Sequence, residues 1–208
     1  HRGAPWRVCP ADLEAVSSDM WFLRKRNGGL RGAGAWVLLC ACLNAPAQEA
    51  APTEYQVKAA FLYNFGKYVE RPPGALAADS FAICVLGDDP FGPVLDRIIE
   101  GKSVQGRKLV AYRLGRVEDS GKCQVLFVSA SENGRLAHIL AALRDRRVLT
   151  VGDSEGFAHR GGMINFQLEG SKVRFEINLD ATEHAGLTVS SQLLKLAKVI
   201  RESSQSGM

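Results

Sequence analysis

Three short segments carry residue types suited to chemistry. Gly152-Asp153-Ser154, with Asp180 and His184 further along, supplies the parts of a hydrolase: a serine for a histidine to activate and a carboxylate to hold that histidine. The G-D-S hydrolases carry this block near the mature N-terminus and separate Asp from His by two residues. Here the block is late, three residues intervene, and no G-x-S-x-G elbow occurs. Gly101-Lys102-Ser103 has the ending of a phosphate-binding loop, but that loop needs a glycine where Asp96 stands, and it opens a helix rather than closing one.

Gly87-Asp88-Asp89-Pro90-Phe91-Gly92 fills a strand-to-helix turn, the place where open α/β sheets bind ligands. Two aspartates there satisfy helix amides themselves and repel phosphate, so capping is the expected role. His138 and His159 have no metal-ligand spacing, and no cofactor motif is present. Gly161-Gly162 is expected to turn the chain through φ > 0, with close approach of a ligand as the functional alternative.

The elements that must position these residues follow from periodicity. Thr53-Glu54-Tyr55-Gln56 is a capping box. Val57, Phe61, Leu62, Phe65 and Val69 then fall near one helical face, and Pro72-Pro73 ends the run. The apolar runs 81–86, 109–112, 123–128 and 148–151 read as strands buried on both faces, separated by helices over 91–100 and 132–144. Parallel pairing with right-handed crossovers follows.

Residues 163–168 and 173–178 alternate around Glu169-Gly170-Ser171, which predicts an antiparallel hairpin, and Ser190–Ile200 predicts a last helix. The expected fold is a three-layer α/β sandwich with a mixed, mainly parallel sheet, a C-terminal hairpin and a terminal helix. The outward hairpin row Arg174, Glu176 and Asn178 is either a solvated face or a partner-binding surface.

The 208 residues suit one domain, and the 46% apolar and 23% charged composition excludes disorder, collagen and coiled coil as global descriptions. Of 26 Lys/Arg and 22 Asp/Glu, six and three lie in residues 1–47, leaving 20 against 19 in residues 48–208. That balance lacks a nucleic-acid footprint.

Arg24-Lys25-Arg26 and Arg31 precede an uncharged stretch, 32–43, followed by Ala45-Pro46-Ala47: the three parts of a secretory signal peptide cleaved between Ala47 and Gln48. A helix over that stretch reaches about 18 Å, short of a hydrocarbon core of about 30 Å. Translation is expected to begin at Met20, with 1–19 an upstream extension, 20–47 the leader and 48–208 a single domain. Cys42 as a lipidation site is the alternative.

Without the leader, Cys84 and Cys123 remain, an even pair in an exported chain, and a disulfide is expected. Closing 38 intervening residues contributes roughly 4 kcal/mol. A redox input and a plain structural staple explain the pair equally well.

Val57-Lys58-Ala59-Ala60-Phe61-Leu62-Tyr63-Asn64-Phe65, Val85-Leu86-Gly87, Val148–Gly152, Gly161–Phe166, Phe175-Glu176-Ile177-Asn178 and Ser191–Ala197 together resemble the YfiR-like family in order and spacing. The resemblance covers nearly all of residues 54–200 and implies a non-enzymatic, cofactor-free periplasmic protein. It further implies one that binds the sensor region of an inner-membrane diguanylate cyclase and represses it, lowering cyclic-di-GMP and biofilm formation. An outer-membrane lipoprotein that relieves repression, and a homodimer, are the further partners expected. A small-ligand sensor using the sheet's carboxyl edge is the alternative. The family reads Trp-Pro where Arg71-Pro72 stands here, so a charge replaces an aromatic anchor at that corner.

Overall fold

Thr53 opens the first helix as the sequence predicts: its hydroxyl accepts from the Gln56 amide while the Gln56 side chain accepts from the Thr53 amide at 2.7 Å. The helix, α1, spans Glu54–Tyr68 and runs directly into β1, Val69–Glu70. The computed structural model describes residues 53–71 and 79–201, all within one unit, Glu49–Met208. The upstream extension, the leader, the Ala47/Gln48 junction and Pro72-Pro73 lie outside the described residues.

The following elements are β2 (Ser80–Leu86), α2 (Pro93–Ile99), β3 (Ser103–Val104), β4 (Arg107–Leu114), β5 (Val125–Val128), α3 (Leu136–Leu143) and β6 (Leu149–Gly152). The hairpin of β7 (Ile164–Glu169) and β8 (Lys172–Asn178) leads into α4 (Leu179–His184). The chain ends in β9 (Thr188–Val189), α5 (Ser191–Leu194) and β10 (Lys198–Ile200). Short 3-10 helices cover Val117–Lys122, Ala130–Arg135 and Ala158–Arg160.

Eight strands form one sheet in the order β10-β8-β7-β6-β5-β2-β4-β3, and β1 pairs with β9 in a small antiparallel ribbon. Strands β4, β2, β5, β6 and β7 are parallel, whereas β3–β4 and β7–β8 are antiparallel. Alternation along β2 explains the layers. Phe81, Ile83 and Val85 face α1 and α2 with Leu62, Phe65, Leu95 and Ile99, while Ala82, Cys84 and Leu86 face α3 with Leu136, Ile139 and Leu143. The α/β sandwich with a mixed, mainly parallel sheet is the predicted fold.

Two elements differ from the sequence reading. The segment 190–200 is not one helix: α5 stops after four residues, and β10 pairs in parallel with β8, placing Lys198 opposite Glu176 and Ile200 opposite Asn178. The β-branched pair Val199-Ile200 suits a strand, and the free edge of β8 supplies the hydrogen bonds a short helix lacks. The helix expected from Glu132 starts as a 3-10 turn, because Asn133-Gly134 are poor helix formers, and Ser129 rather than Ser131 is its N-cap.

Candidate functional site

The hairpin row divides. Arg174 is exposed and reaches Glu169 at 3.5 Å, but Glu176 and Asn178 are fully buried, which corrects the expectation of an outward row. Their face is covered by the 3-10 helix Ala158–Arg160 and flanked by β10, the strand that the helical reading of 190–200 concealed. Glu176 Oε1 accepts from Asn165 Nδ2 at 3.2 Å, with His159 Nε2 and Lys198 Nζ each 3.9 Å from the carboxylate. Asn178 caps α4 by accepting from the Ala181 amide, and donates to the Ala158 carbonyl at 2.9 Å. These two side chains tie the hairpin to its neighbours, and Arg174 stays at the surface.

Three large apolar side chains are exposed on or near this part of the sheet. Among the described residues the exposed large hydrophobic side chains are Leu168, 54% exposed, Leu196, 66%, and Val199, 43%. They lie on β7, on the turn into β10 and on β10, and among the described residues no strand pairs with the outer side of β10.

The carboxyl end of the sheet is closed. Gly87 has φ +86°, and a Cβ there would meet Ser131 Oγ and the Glu132 side chain within 2.8 Å. Ser131 Oγ accepts from the Asp88 amide at 3.0 Å, so the loop after β5 fills the crevice beside β2 where doubly wound sheets admit ligands. Asp89 accepts from the Phe91 amide ahead of α2, but the N-cap of α2 is Gly92 and no side chain caps it, so the helix capping expected of the two aspartates does not form. Asp89 and Asp96 both bind the Arg113 guanidinium. That guanidinium holds the Asp96 carboxyl below its usual range.

Further along the same end, Lys58 is buried, although the helical pattern pointed to Val57. Its ammonium lies 2.5 Å from Glu54 and 2.7 Å from Asp153, and Tyr55 donates to Asp153 at 3.3 Å. Burial opposes the charge, but the two carboxylates outweigh it and raise the pKa of Lys58; burial and Asp153 raise that of Tyr55. The signal in the sequence was Glu54 four residues before Lys58, which marks a helical ion pair but not its burial.

Gly161 takes φ +98°, the turn role predicted for it, whereas Gly162 serves close packing: a Cβ there would lie 2.1 Å from the Phe157 ring. Gly152 packs on the same ring. Asp180 and His184 line a cleft of about 460 Å³ between α3 and α4 to which Ser154 does not contribute, so the three hydrolase candidates do not converge. No group of His, Cys, Asp or Glu suited to a metal occurs among the described residues, and no helix among them is long and apolar enough to cross a membrane.

On the α3 side of the sheet Cys84 and Cys123 are joined in a buried disulfide, with Cα atoms 5.8 Å apart. Arg71, the departure from the family pattern, lies over the Phe81 ring with its guanidinium 5.2 Å from the centroid. A charge thus occupies the site of an aromatic anchor while still covering an aromatic ring.

On this α/β sheet the loop after β5 packs into the crevice beside β2, and the hydrolase candidates of the sequence lie apart. The sequence profile of the YfiR/HmsC-like family matches residues 55–198, and the chain belongs to that family. At family level these are periplasmic regulators of diguanylate cyclase, regulatory rather than catalytic.

The fold is similar to that of a conserved domain protein from Vibrio cholerae O1 biovar El Tor, at 13% identity and a TM-score of 0.51, over 74% of this chain and 62% of that one. The ABC domain from Streptococcus pneumoniae in complex with L-Trp matches at 11% identity and a TM-score of 0.46, over 68% and 60%. The chain thus spans less than two thirds of either protein's length.

Proposed function

We propose that this chain is exported to the periplasm, where it binds the sensor region of an inner-membrane diguanylate cyclase and holds the enzyme in its inactive state. The observation that carries the site of binding is the exposure of Leu168 on β7, Leu196 in the turn before β10 and Val199 on β10, the last strand of the sheet, with Arg174 on β8 and Lys198 on β10 exposed as well. An unpaired edge with apolar and basic side chains suits an extended or amphipathic segment of a partner. Repression requires tighter binding to the inactive cyclase than to the active one, since equal affinity shifts no equilibrium. An outer-membrane lipoprotein that competes for the same edge would relieve it, and a second copy pairing along β10 would mask it in a homodimer. The filled crevice at the carboxyl end weighs against a small-ligand sensor using that edge.

The test is a pair of charge insertions, Leu196→Asp and Val199→Asp, read by cyclic-di-GMP level and by crosslinking to membranes in cells. Both variants should stay folded, lose the crosslink and raise cyclic-di-GMP to the level of a deletion strain. A deletion strain with unchanged cyclic-di-GMP would refute the function, and normal crosslinking of both variants would refute the surface.

A further inference from the structure

Helix α3 packs Leu136 and Ile139 on the sheet, while Ala137 and Ala141, one turn apart, line the cleft of about 460 Å³ that it forms with Ala181 of α4. Side chains this small leave the space open, and its volume is that of a small-molecule site. Leu140, Leu143 and Met163 supply an apolar wall. The cleft is separate from the filled crevice at the carboxyl end and from the exposed edge at β10.

Three of the four ionisable side chains that line it are basic: Arg144, Arg160 and His184. The acid, Asp180, accepts from Arg201 at 3.2 Å, so its charge is already met. Arg160 donates to Asn133, ahead of α3, and so stands at the end of the cleft where that helix begins. Arg144 follows the last residue of α3 at the other end, about 10 Å along the helix from Ala137. It is exposed, and its side chain has no acceptor or ion pair among the described residues, the adjacent Asp145 included. Thr150, buried in the wall, accepts from the Met163 amide at 3.1 Å and has no acceptor for its own hydroxyl proton among those residues.

A single guanidinium takes a carboxylate through two parallel hydrogen bonds, so Arg144 alone can anchor one. A cationic headgroup finds only repulsion there, since the one acid of the lining is engaged by Arg201. An apolar chain of roughly eight carbons covers the length from Arg144 to Ala137. We propose that the cleft between α3 and α4 binds a small amphipathic carboxylate, its carboxylate on Arg144 and its hydrocarbon body over Leu140, Leu143 and Met163.

Titration of the full chain with octanoate at constant ionic strength, followed by calorimetry and by Tm, tests the site. Saturable binding that raises the Tm is expected. Hexanoate, two methylenes shorter, should bind about ten-fold more weakly. Octylamine and the Arg144→Gln variant with octanoate should each show at least a ten-fold loss. Ala141→Phe fills the cleft from an exposed helical position and should abolish both the binding and the Tm rise. No saturable binding of octanoate, equal affinity for octanoate and octylamine, or parent-like octanoate binding by either variant would overturn the site. None of these outcomes depends on the cyclase.

Discussion

The two ends of the sheet are built from the same parallel strands and secured in opposite ways. At the carboxyl end, charges are matched: Lys58 with Glu54 and Asp153, Arg113 with Asp89 and Asp96, and Arg135 with Glu132. At the amino end Arg71 and Arg107 share a ring and have no acid partner among the described residues, and Cys123, just before β5, is tied covalently to Cys84 of β2. The carboxyl end spends its polar groups on closing itself, which is why the usual ligand crevice of a doubly wound sheet is filled here. At the amino end Arg71 Nε and Arg107 Nη1 are buried without an acceptor among the described residues.

The contrast breaks first at the covalent tie. Replacing both Cys84 and Cys123 by Ala should cost up to about 4 kcal/mol of unfolding free energy in urea, most of it through loss of the constraint on the unfolded chain. The parent under reducing conditions should lose the same amount. A loss below about 1 kcal/mol would mean that the amino end is held by packing alone.

Lys58→Met comes next. It removes one partner from a largely buried cluster and leaves Asp153, 10% exposed at its side chain, without its cation. The expected loss is about 3 kcal/mol by urea denaturation, at the lower end for a broken buried pair because Glu54 can turn to solvent. In the parent, the pKa of Lys58 is raised in the fold, so this contribution is complete below lysine's ordinary value and fades only as pH rises through the folded one. An unchanged midpoint for Lys58→Met would put the closure of the carboxyl end down to apolar packing.

Gly162→Ala probes that packing directly. The added methyl would overlap the Phe157 ring, which already presses on Gly152, and Phe157 is fully buried. A loss of about 2 kcal/mol is expected from overpacking, and Phe157→Leu in the same chain should recover part of it.

The sequence revealed the parallel core because its strands are short apolar runs separated by helices, a pattern that survives any choice of neighbour. It also revealed the capping box at Thr53, a contact that is local. The failures are nonlocal. Glu176 and Asn178 look like the polar side of an alternating strand, and only the return of β10 and the turn at Ala158 buries them. Lys58 looks like a solvated helical lysine, and only Asp153, 95 residues away, makes its burial tolerable. Arg71 stood out against the family pattern, but its neighbour Arg107 belongs to a different strand. In each case the deciding partner is remote in sequence, so residue type and periodicity could not supply it.

The smallest effect separates the two ends by pH. Arg113 depresses the Asp96 carboxyl, so that carboxyl adds stability above its ordinary range and loses it as pH falls through the depressed value, where the unfolded chain binds the proton first. Asp96 is half exposed at its side chain, and pairs of this kind are worth below about 1 kcal/mol and are weakened by salt. Arg113→Gln should therefore flatten the acid limb of a stability curve by a few tenths of a kcal/mol, and added salt should shrink the difference. Arg107→Gln should run parallel to the parent over the same limb, since its guanidinium has no carboxylate to titrate. Equal flattening by both variants would show that the two ends share one electrostatic field, and the contrast between a matched end and an open one would fail.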